Sequence, residues 1–198
     1  MRSFISYYKW HLIFLLLIIV CFTFIFVNMT STVKPDLTIG YIGMNYVNVQ
    51  TFNDNKYELE LLLRDSNDDE QRIAEMYAYA VDLQNDLDEL LLDMVDAESY
   101  DVVITTKEAL KNFKDKKVFV AASEYVNLNT KDLKTLKDKS GRVYAVSLED
   151  NDYVKKMGIM NNEGLYIAVL DSEKDKDGDI PMTRKNGRNI SGYILGED

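Results

Sequence analysis

The feature that most constrains this chain is an apolar run near its amino terminus. Residues 10–27 (WHLIFLLLIIVCFTFIFV) carry no formal charge and include four phenylalanines and eight leucines or isoleucines. As an α-helix these residues would be about 27 Å long, close to the roughly 30 Å hydrocarbon core of a bilayer. A helix that is apolar on all sides is buried in a large core or spans a membrane. The run therefore predicts one transmembrane helix.

The flanking charges predict the orientation of this helix. Arg2 and Lys9 precede it without any acidic residue, and the next basic residue is Lys34. The positive-inside rule then gives a cytoplasmic tail (1–9), an anchor (10–28), a tether (29–36) and an extracellular domain (37–198) of a single-pass cell-membrane protein. A cleaved signal peptide is the alternative. The run is longer than the usual apolar region of about 7–15 residues, however, and no A-x-A-like cleavage site follows it.

The predicted extracellular domain is acidic and lacks three reactive residue types. Trp10, His11 and Cys21 all precede it. Residues 31–198 keep all 33 acidic residues but lose Arg2 and Lys9, which leaves a net charge near −12. Without His or Cys it has no Ser-His-Asp or Cys-His nucleophile, no thiolate or imidazole zinc site and no disulfide. Its charge repels phosphate backbones and favours cationic or neutral partners over nucleic acid. No carboxylate pair stands out as catalytic, so we do not expect an enzyme.

Strand and helix patterns alternate along this domain. The predicted strands cover residues 37–43, 57–63, 100–105, 118–122, 142–148 and 165–170, and short helices cover 107–113, 131–139 and 152–157. Residues 185–188 (KNGR) resemble a hairpin turn between 182–183 and 190–195. This order predicts an α/β or α+β domain with a mixed β-sheet and flanking helices.

A spacing of three and four residues predicts one long helix over residues 68–95, or two helices joined by a bend. Asn67 and Glu70 resemble a capping box at its start. The apolar stripe comprises Ile73, Met76, Ala80, Leu83, Leu87, Leu90 and Met94. Because neighbouring apolar residues widen the stripe, we expect it to pack on the sheet. The alternative is a helix that dimerises or docks on a membrane partner.

The candidate binding residues lie at two strand ends. They are Gly40, Tyr41, Gly43, Met44 and Asn45 on the first strand, with Thr105 and Thr106 on a later one. Glycines let a loop approach a ligand closely, and ligands of open α/β sheets bind beyond the carboxyl ends of the strands. We therefore expect a small-molecule cleft here. Ordinary turn and helix-capping chemistry is the alternative.

The acidic segment 171–180 (DSEKDKDGDI) is a weaker candidate, for calcium. With Gly178 at the glycine position of an EF-type loop, the ligand positions before it are Glu173, Asp175 and Asp177. The candidate metal residues are Asp175, Asp177 and Asp179. That alignment puts Arg184 at the twelfth position, where a bidentate glutamate is needed. A solvated loop is therefore the preferred interpretation, and no cofactor is expected. The acidic run 65–70 (DSNDDE) is likewise better explained by helix capping than by calcium.

Several short motifs resemble a known family. They are residues 35–43 (PDLTIGYIG), 100–110 (YDVVITTKEAL), 118–126 (VFVAASEYV), 142–148 (RVYAVSL) and 164–169 (GLYIAV). Together they resemble extracellular solute-binding proteins of the type 2 periplasmic-binding fold, in particular small membrane-anchored relatives from low-GC Gram-positive bacteria. The resemblance implies a reduced, periplasmic-binding-protein-like domain that binds a solute outside the cell.

Overall fold

The computed structural model describes residues 2–30, 34–82, 84–129, 133–172 and 179–197 as two compact units. The first contains helix α1 (Arg2–Thr30), which includes the predicted apolar run. Its stretch Tyr8–Ile25 is long and apolar enough to cross a membrane, by criteria that a signal sequence near the amino terminus also meets. The second unit is Pro35–Asp198.

The second unit is built around one mixed β-sheet, as predicted. Its strands in the described part of the chain are β1 (Leu37–Gly43), β2 (Ala74–Ala80), β3 (Val102–Thr106), β4 (Thr135–Lys137), β5 (Val143–Ser147) and β6 (Leu165–Val169). Their order across the sheet is β2-β1-β3-β6-β5-β4. Strands β2, β1 and β3 are parallel, and every pairing from β3 to β4 is antiparallel.

Helices cover both faces of the sheet. They are α2 (Val49–Asn55), α3 (Tyr57–Leu62), α4 (Gln84–Asp96), α5 (Lys107–Lys111), α6 (Asp152–Lys156) and α7 (Met182–Ile194). Because side chains alternate along a strand, β1 contributes side chains to two hydrophobic cores, one on each face of the sheet. Ile39 lies on the first face, in a core shared with α2, α3, α6 and α7. Ile42 lies on the second face, in a core shared with α4 and α5.

The predicted helix over 68–95 is wrong in its first half. Residues 74–80 form β2, and only Gln84–Asp96 form a helix. Met76 and Ala80 have helical spacing, but β2 pairs with β1 along seven consecutive residues, and this sheet pairing overrides the local pattern. In α4 the stripe residues Leu87 and Met94 are buried, so this part of the stripe is core as expected. Leu83 lies outside the described residues.

The predicted capping box at Asn67 is wrong, because residues 65–70 form a loop held by hydrogen bonds to the Asp65 side chain. The Asp65 carboxylate accepts backbone N–H groups from Asn67 (3.1 Å), Asp68 (2.8 Å) and Glu70 (2.8 Å). Asp68 and Glu70 adopt left-handed backbone angles, with φ of 59° and 64°. Such angles interrupt a helix, so the acidic run turns the chain into β2.

Three other predicted elements differ from the structure. Residues 57–62 form α3, because the alternating leucines also fit a short helix with Leu59 buried and Leu61 exposed. Residues 118–122 form no strand: Phe119 makes an isolated bridge to Leu170, and Ala122 begins a short 3-10 helix (Ala122–Glu124). In place of the predicted helix over 131–139, residues 135–137 form β4, whose Leu136 pairs with β5.

The predicted hairpin at residues 185–188 is also wrong, because this segment lies inside α7. The Asn186 amide donates to the carbonyls of Asp36 (3.0 Å) and Arg64 (2.8 Å) and accepts the Arg64 N–H (3.0 Å). A Cβ atom on Gly187 would lie 3.2 Å from Cβ of Asp101. The asparagine and glycine that indicate a turn in the sequence therefore serve to seat a helix against the sheet.

Helix α7 also supplies a buried cation. The Arg184 guanidinium pairs with Asp101 (3.2 Å) and donates to the carbonyls of Tyr100 and Glu98. The second carboxylate oxygen of Asp101 accepts the backbone N–H and the hydroxyl of Thr38, both at 2.8 Å. Both members of the ion pair are almost fully buried, so each depends on the other for compensation of its charge.

We expect Arg184→Met to lower the free energy of unfolding by about 3–5 kcal/mol, because it leaves the buried Asp101 carboxylate without its cation. Urea denaturation of the full-length protein in detergent, followed by circular dichroism, measures this change. Lys185→Met, at the adjacent and less buried position, is the matched control. Equal stability of the two variants would contradict the assigned role of Arg184.

The turn between β4 and β5 depends on one carboxylate. Asp138 accepts the Ser140 hydroxyl (2.6 Å) and N–H (2.8 Å), and it pairs with Arg142 Nε (3.0 Å). The Ser140 hydroxyl makes the largest contribution, and with Arg142 it lowers the pKa of Asp138 from 3.8 to about 2. Because the pKa is lower in the folded state, this carboxylate stabilises the fold above about pH 4 and loses that effect as the pH falls towards 2.

Asp138→Asn should therefore lower the melting temperature at pH 5 to 7. The difference from wild type should shrink as the pH falls from 4 to 2, because the wild-type carboxylate becomes protonated over that range. Thermal unfolding at several pH values measures both trends. A difference that stays constant down to pH 2 would show that Asp138 does not titrate with the lowered pKa.

Candidate functional site

The chain takes opposite directions after β1 and after β3. After β1 it enters α2 and α3, whose Phe52 and Leu59 pack on the first face. After β3 it enters α5, whose Ala109 and Leu110 pack on the second face. The two strands are parallel neighbours, with Ile42 beside Thr105. Their carboxyl ends therefore form a topological switch point, where open α/β sheets leave a crevice.

The predicted residues Gly40 and Tyr41 have structural positions. Gly40 lies in β1 beneath the ring of Tyr100, and a Cβ atom there would be 3.0 Å from that ring. Tyr41 is fully buried, and its hydroxyl donates to the carbonyl of Asn45 (3.1 Å). Burial raises the pKa of Tyr41, so the phenol stays protonated at neutral pH. Gly40 and Tyr41 thus support the loop after β1 through packing and a hydrogen bond, and neither presents a free group to a ligand.

The predicted residues Gly43, Met44 and Asn45 form the edge itself. A Cβ atom on Gly43 would lie 2.5 Å from the Tyr41 hydroxyl, so any larger residue there forces the Tyr41 side chain to shift. Met44 is exposed, and the Asn45 side-chain amide donates to the carbonyl of Asn161 at 3.5 Å. The loop after β1 is thus tied to the segment before β6, with the Met44 side chain left in solvent.

Thr105 and Thr106 lie on the other side of the switch point. The Thr106 hydroxyl accepts the N–H of Ala109 (3.4 Å) and caps α5, which is the ordinary capping role. Thr105 is fully buried, and its hydroxyl has no hydrogen-bond partner among the described residues. The structure brings both threonines to the same edge as Gly43, as the sequence predicts, but neither hydroxyl is free on the surface.

Two exposed side chains at this edge have no counterpart in the sequence-based prediction. Tyr46 is 76% exposed and Met160 is 74% exposed. An antiparallel bridge between Val47 and Ile159 places residues 46 and 160 opposite each other. With Met44 they form what we call the carboxyl-edge patch. The local sequence around Met160 has no strand pattern, so only the tertiary bridge reveals that it lies beside Tyr46.

A separate groove of about 790 Å³ lies along α7. Its walls include Tyr125, Tyr193 and an ion pair between Arg188 and Glu124 (2.6 Å). The Tyr125 hydroxyl and Arg188 Nε are buried and have no partner in the described part of the chain, and burial raises the pKa of Tyr125. The groove has no counterpart in the sequence-based prediction, because the pattern at residues 185–188 indicates a hairpin where α7 lies.

The weak calcium prediction is only partly within the described residues. Asp175 and Asp177 lie outside them, and Asp179 lies at the start of the segment that leads into α7. Within the described ranges, no group of three or more His, Cys, Asp or Glu side chains is arranged to hold a metal ion. The Asp65 carboxylate, in the other acidic run, is occupied by backbone N–H groups.

Comparisons with protein-family models, curated proteins and solved structures give no match to this chain. The resemblance to solute-binding proteins thus depends on the short motifs of the sequence alone. The mixed sheet with flanking helices and the apolar amino-terminal helix are structural findings, whereas a binding role is a proposal.

We expect Gly43→Ala to destabilise the protein by about 1–3 kcal/mol, because the new methyl group overlaps the Tyr41 hydroxyl in a packed site. Tyr41→Phe alone should cost only its hydrogen bond, about 0.5–1.5 kcal/mol. In the double variant Gly43→Ala/Tyr41→Phe the closest overlapping atom is absent. Its loss of stability should therefore be smaller than the sum of the losses in the two single variants. Chemical denaturation of the four proteins tests this, and strict additivity would contradict the contact.

Proposed function

We propose that this protein is a membrane-anchored binding module whose carboxyl-terminal domain lies outside the cell. Its ligand site is the carboxyl edge of β1 and β3. The observation that carries the proposal is the switch point, where the loops leave in opposite directions beside paired residues Ile42 and Thr105. In open α/β sheets this is the position at which a ligand finds a crevice between diverging loops.

The side chains at this edge suit a ligand with both apolar and hydrogen-bonding parts. Tyr46 and Met160 expose apolar surface, and Asn45 presents an amide next to them. Binding sites for small molecules combine such apolar walls with a few polar groups that fix orientation. The methionine side chains are flexible, so the patch can adapt to the shape of its ligand.

The negative charge of the domain limits the kinds of ligand that can bind at this edge. The domain carries a net charge near −12, and Glu149 and Glu163 lie on the loops of the same edge. Glu149 is paired with Lys134 (2.6 Å). An anionic ligand would meet repulsion on approach, whereas a neutral or cationic solute or peptide would not. We therefore assign neutral or cationic solutes to this site.

The resemblance to solute-binding proteins supports the same role. Its most distinctive motif, residues 100–110, forms strand β3 followed by α5 with Thr106 as the cap. The motifs at 35–43, 142–148 and 164–169 form β1, β5 and β6 of the same sheet, whereas the motif at 118–126 forms no strand of it. A domain of this size provides a single sheet with loops at one edge, which fits a reduced binding module.

A helix-mediated interaction role has less support. The long helix over 68–95 on which it depended is divided into β2 and α4, and Leu87 and Leu91 of α4 are buried in the second core. An apolar stripe that is already covered cannot dock on a partner without unfolding. Any interaction role therefore requires a different surface of the domain.

The binding proposal is tested with the double variant Tyr46→Ala/Met160→Ser in the full-length protein in detergent. Thermal-shift screening of wild type against neutral and cationic solutes (sugars, amino acids and short peptides) identifies a probe, and calorimetry measures its affinity. The double variant should bind that probe at least ten-fold more weakly, because it removes most of the apolar surface of the patch.

Tyr57→Ala is the matched control, since Tyr57 is an exposed tyrosine on α3 away from this edge. It should bind as wild type does. Unchanged affinity in the double variant would contradict the proposal. So would loss of binding in Tyr193→Ala alone, which would place the ligand in the groove along α7.

A further inference from the structure

The two edges of the sheet differ in how they are protected. Strand β4 has only three residues, its pairing is irregular between Leu136 and Lys137, and Lys137 is exposed. Short strands, irregular pairing and lysines are the usual protection against unwanted pairing at a sheet edge. Strand β2 has seven residues (AEMYAYA), no proline, no lysine and regular pairing with β1. The β2 edge is therefore the one that can accept another strand.

Among the described residues, side chains close the β2 edge at its beginning. The Ala74 N–H donates to Glu60 Oε1 (3.3 Å), and the Ala74 carbonyl accepts Lys56 Nζ (3.1 Å). Lys56 and Glu60 form an ion pair (3.0 Å) on α3. These two side chains take the place of a neighbouring strand at Ala74, so its backbone groups point away from β1.

This direction fixes which groups are unpaired further along the strand. The backbone groups of Ile73 and Val81 bond towards β1, through Ile73 O to Leu37 N and Val81 N to Gly43 O. Since successive residues of a strand point their backbone groups to opposite sides, the groups of Met76, Ala78 and Ala80 point outwards. No described residue forms a hydrogen bond with them. Residues 76–80 thus present an open edge.

We propose that this edge pairs with the same edge of a second copy of the chain, antiparallel and centred on Ala78. Ala78 would then face the partner's Ala78, and Met76 would face the partner's Ala80. All three outward residues fall in the hydrogen-bonded positions of an antiparallel pair. The contact is isologous and closed, as in a two-fold symmetric dimer, and it joins the two sheets into one.

The sequence of the edge favours a second copy over an unrelated strand. Tyr77-Ala78-Tyr79 is symmetric about Ala78, so Tyr77 would face the partner's Tyr79 on one side of the sheet. These tyrosines are 43% and 38% exposed, and both border Tyr100, through a 3.1 Å contact between the Tyr79 and Tyr100 hydroxyls and an edge-to-face contact of the Tyr77 ring. Aromatic pairs at non-hydrogen-bonded positions stabilise antiparallel strands.

Charge does not oppose this pairing, although the domain as a whole is acidic. Glu75 is the one charged residue of β2, and in this register it faces the partner's Val81. The Glu75 carboxylate also already accepts the Tyr77 hydroxyl (2.6 Å). Between residues 75 and 81 this register therefore places no two carboxylates opposite each other.

The experiment compares full-length wild type, Ala78→Pro and Ala78→Ser by sedimentation velocity in detergent over a range of concentrations. Wild type and Ala78→Ser should form dimers. Ala78→Pro should dimerise at least ten-fold more weakly, because proline removes an outward N–H, while the pairing of β2 with β1 uses inward groups. Far-ultraviolet circular dichroism checks that the variants are folded.

Amide hydrogen exchange of wild type gives a test that does not depend on any variant. The amides of Met76, Ala78 and Ala80 should exchange slowly in the dimer and at least ten-fold faster after dilution to the monomer. A wild-type monomer at every concentration would overturn the proposal. A dimer with fast exchange at these amides would also overturn it, because the contact would then lie on α1 or another surface. Slow exchange of these amides only in the presence of a different polypeptide would overturn it as well.

Discussion

The attachment of α7 to the amino-terminal ends of β1 and β3 is the interaction on which the rest of the domain depends. It is polar: Arg184 neutralises Asp101, and Asn186 satisfies backbone groups of Asp36 and Arg64. Asp36, also buried, accepts the Ser66 and Ile73 N–H groups. Because a buried charge or amide without a partner is costly, these bonds fix one position of α7 over the first face. The apolar side chains Ile190 and Ile194 then complete that core.

The carboxyl edge is a consequence of this arrangement. With α7, α2 and α3 on the first face and α4 and α5 on the second, the loops after β1 and β3 must separate. The tie between Val47 and Ile159 brings a segment from before β6 into the same region. Three distant parts of the sequence therefore meet at the edge, and Tyr46 becomes a neighbour of Met160.

Local sequence patterns predict the elements whose periodicity agrees with their burial. Strands β1, β3, β5 and β6 are buried and rich in β-branched residues, and α5 and α6 are short helices with side-chain caps, so the patterns place them within a few residues. The amino-terminal helix follows from its composition. The mixed sheet follows from the alternation of these elements.

The patterns fail where pairing or burial by distant residues overrides them. Strand β2 has helical spacing at Met76 and Ala80, yet its partner β1 is about 37 residues earlier in the chain. Asn186 and Gly187 indicate a turn, but their environment consists of Asp36, Arg64 and Asp101, which no local pattern contains. The predicted site residues Gly43 and Thr105 lie at neighbouring strand ends because β1 pairs with β3, whereas no local pattern places Tyr46 beside Met160.

The buried contact between Asp36 and Asn186 also bears on how the domain is made. The two residues are 150 positions apart, and Arg184 is 83 positions from Asp101. During synthesis, β1 and β3 emerge long before the segment that compensates the buried polar groups beside them. The sheet therefore cannot reach its final packing on the first face until α7 has emerged. Until then the part of the first core that Ile190 and Ile194 cover is open, so packing of this face is completed only after α7 is available.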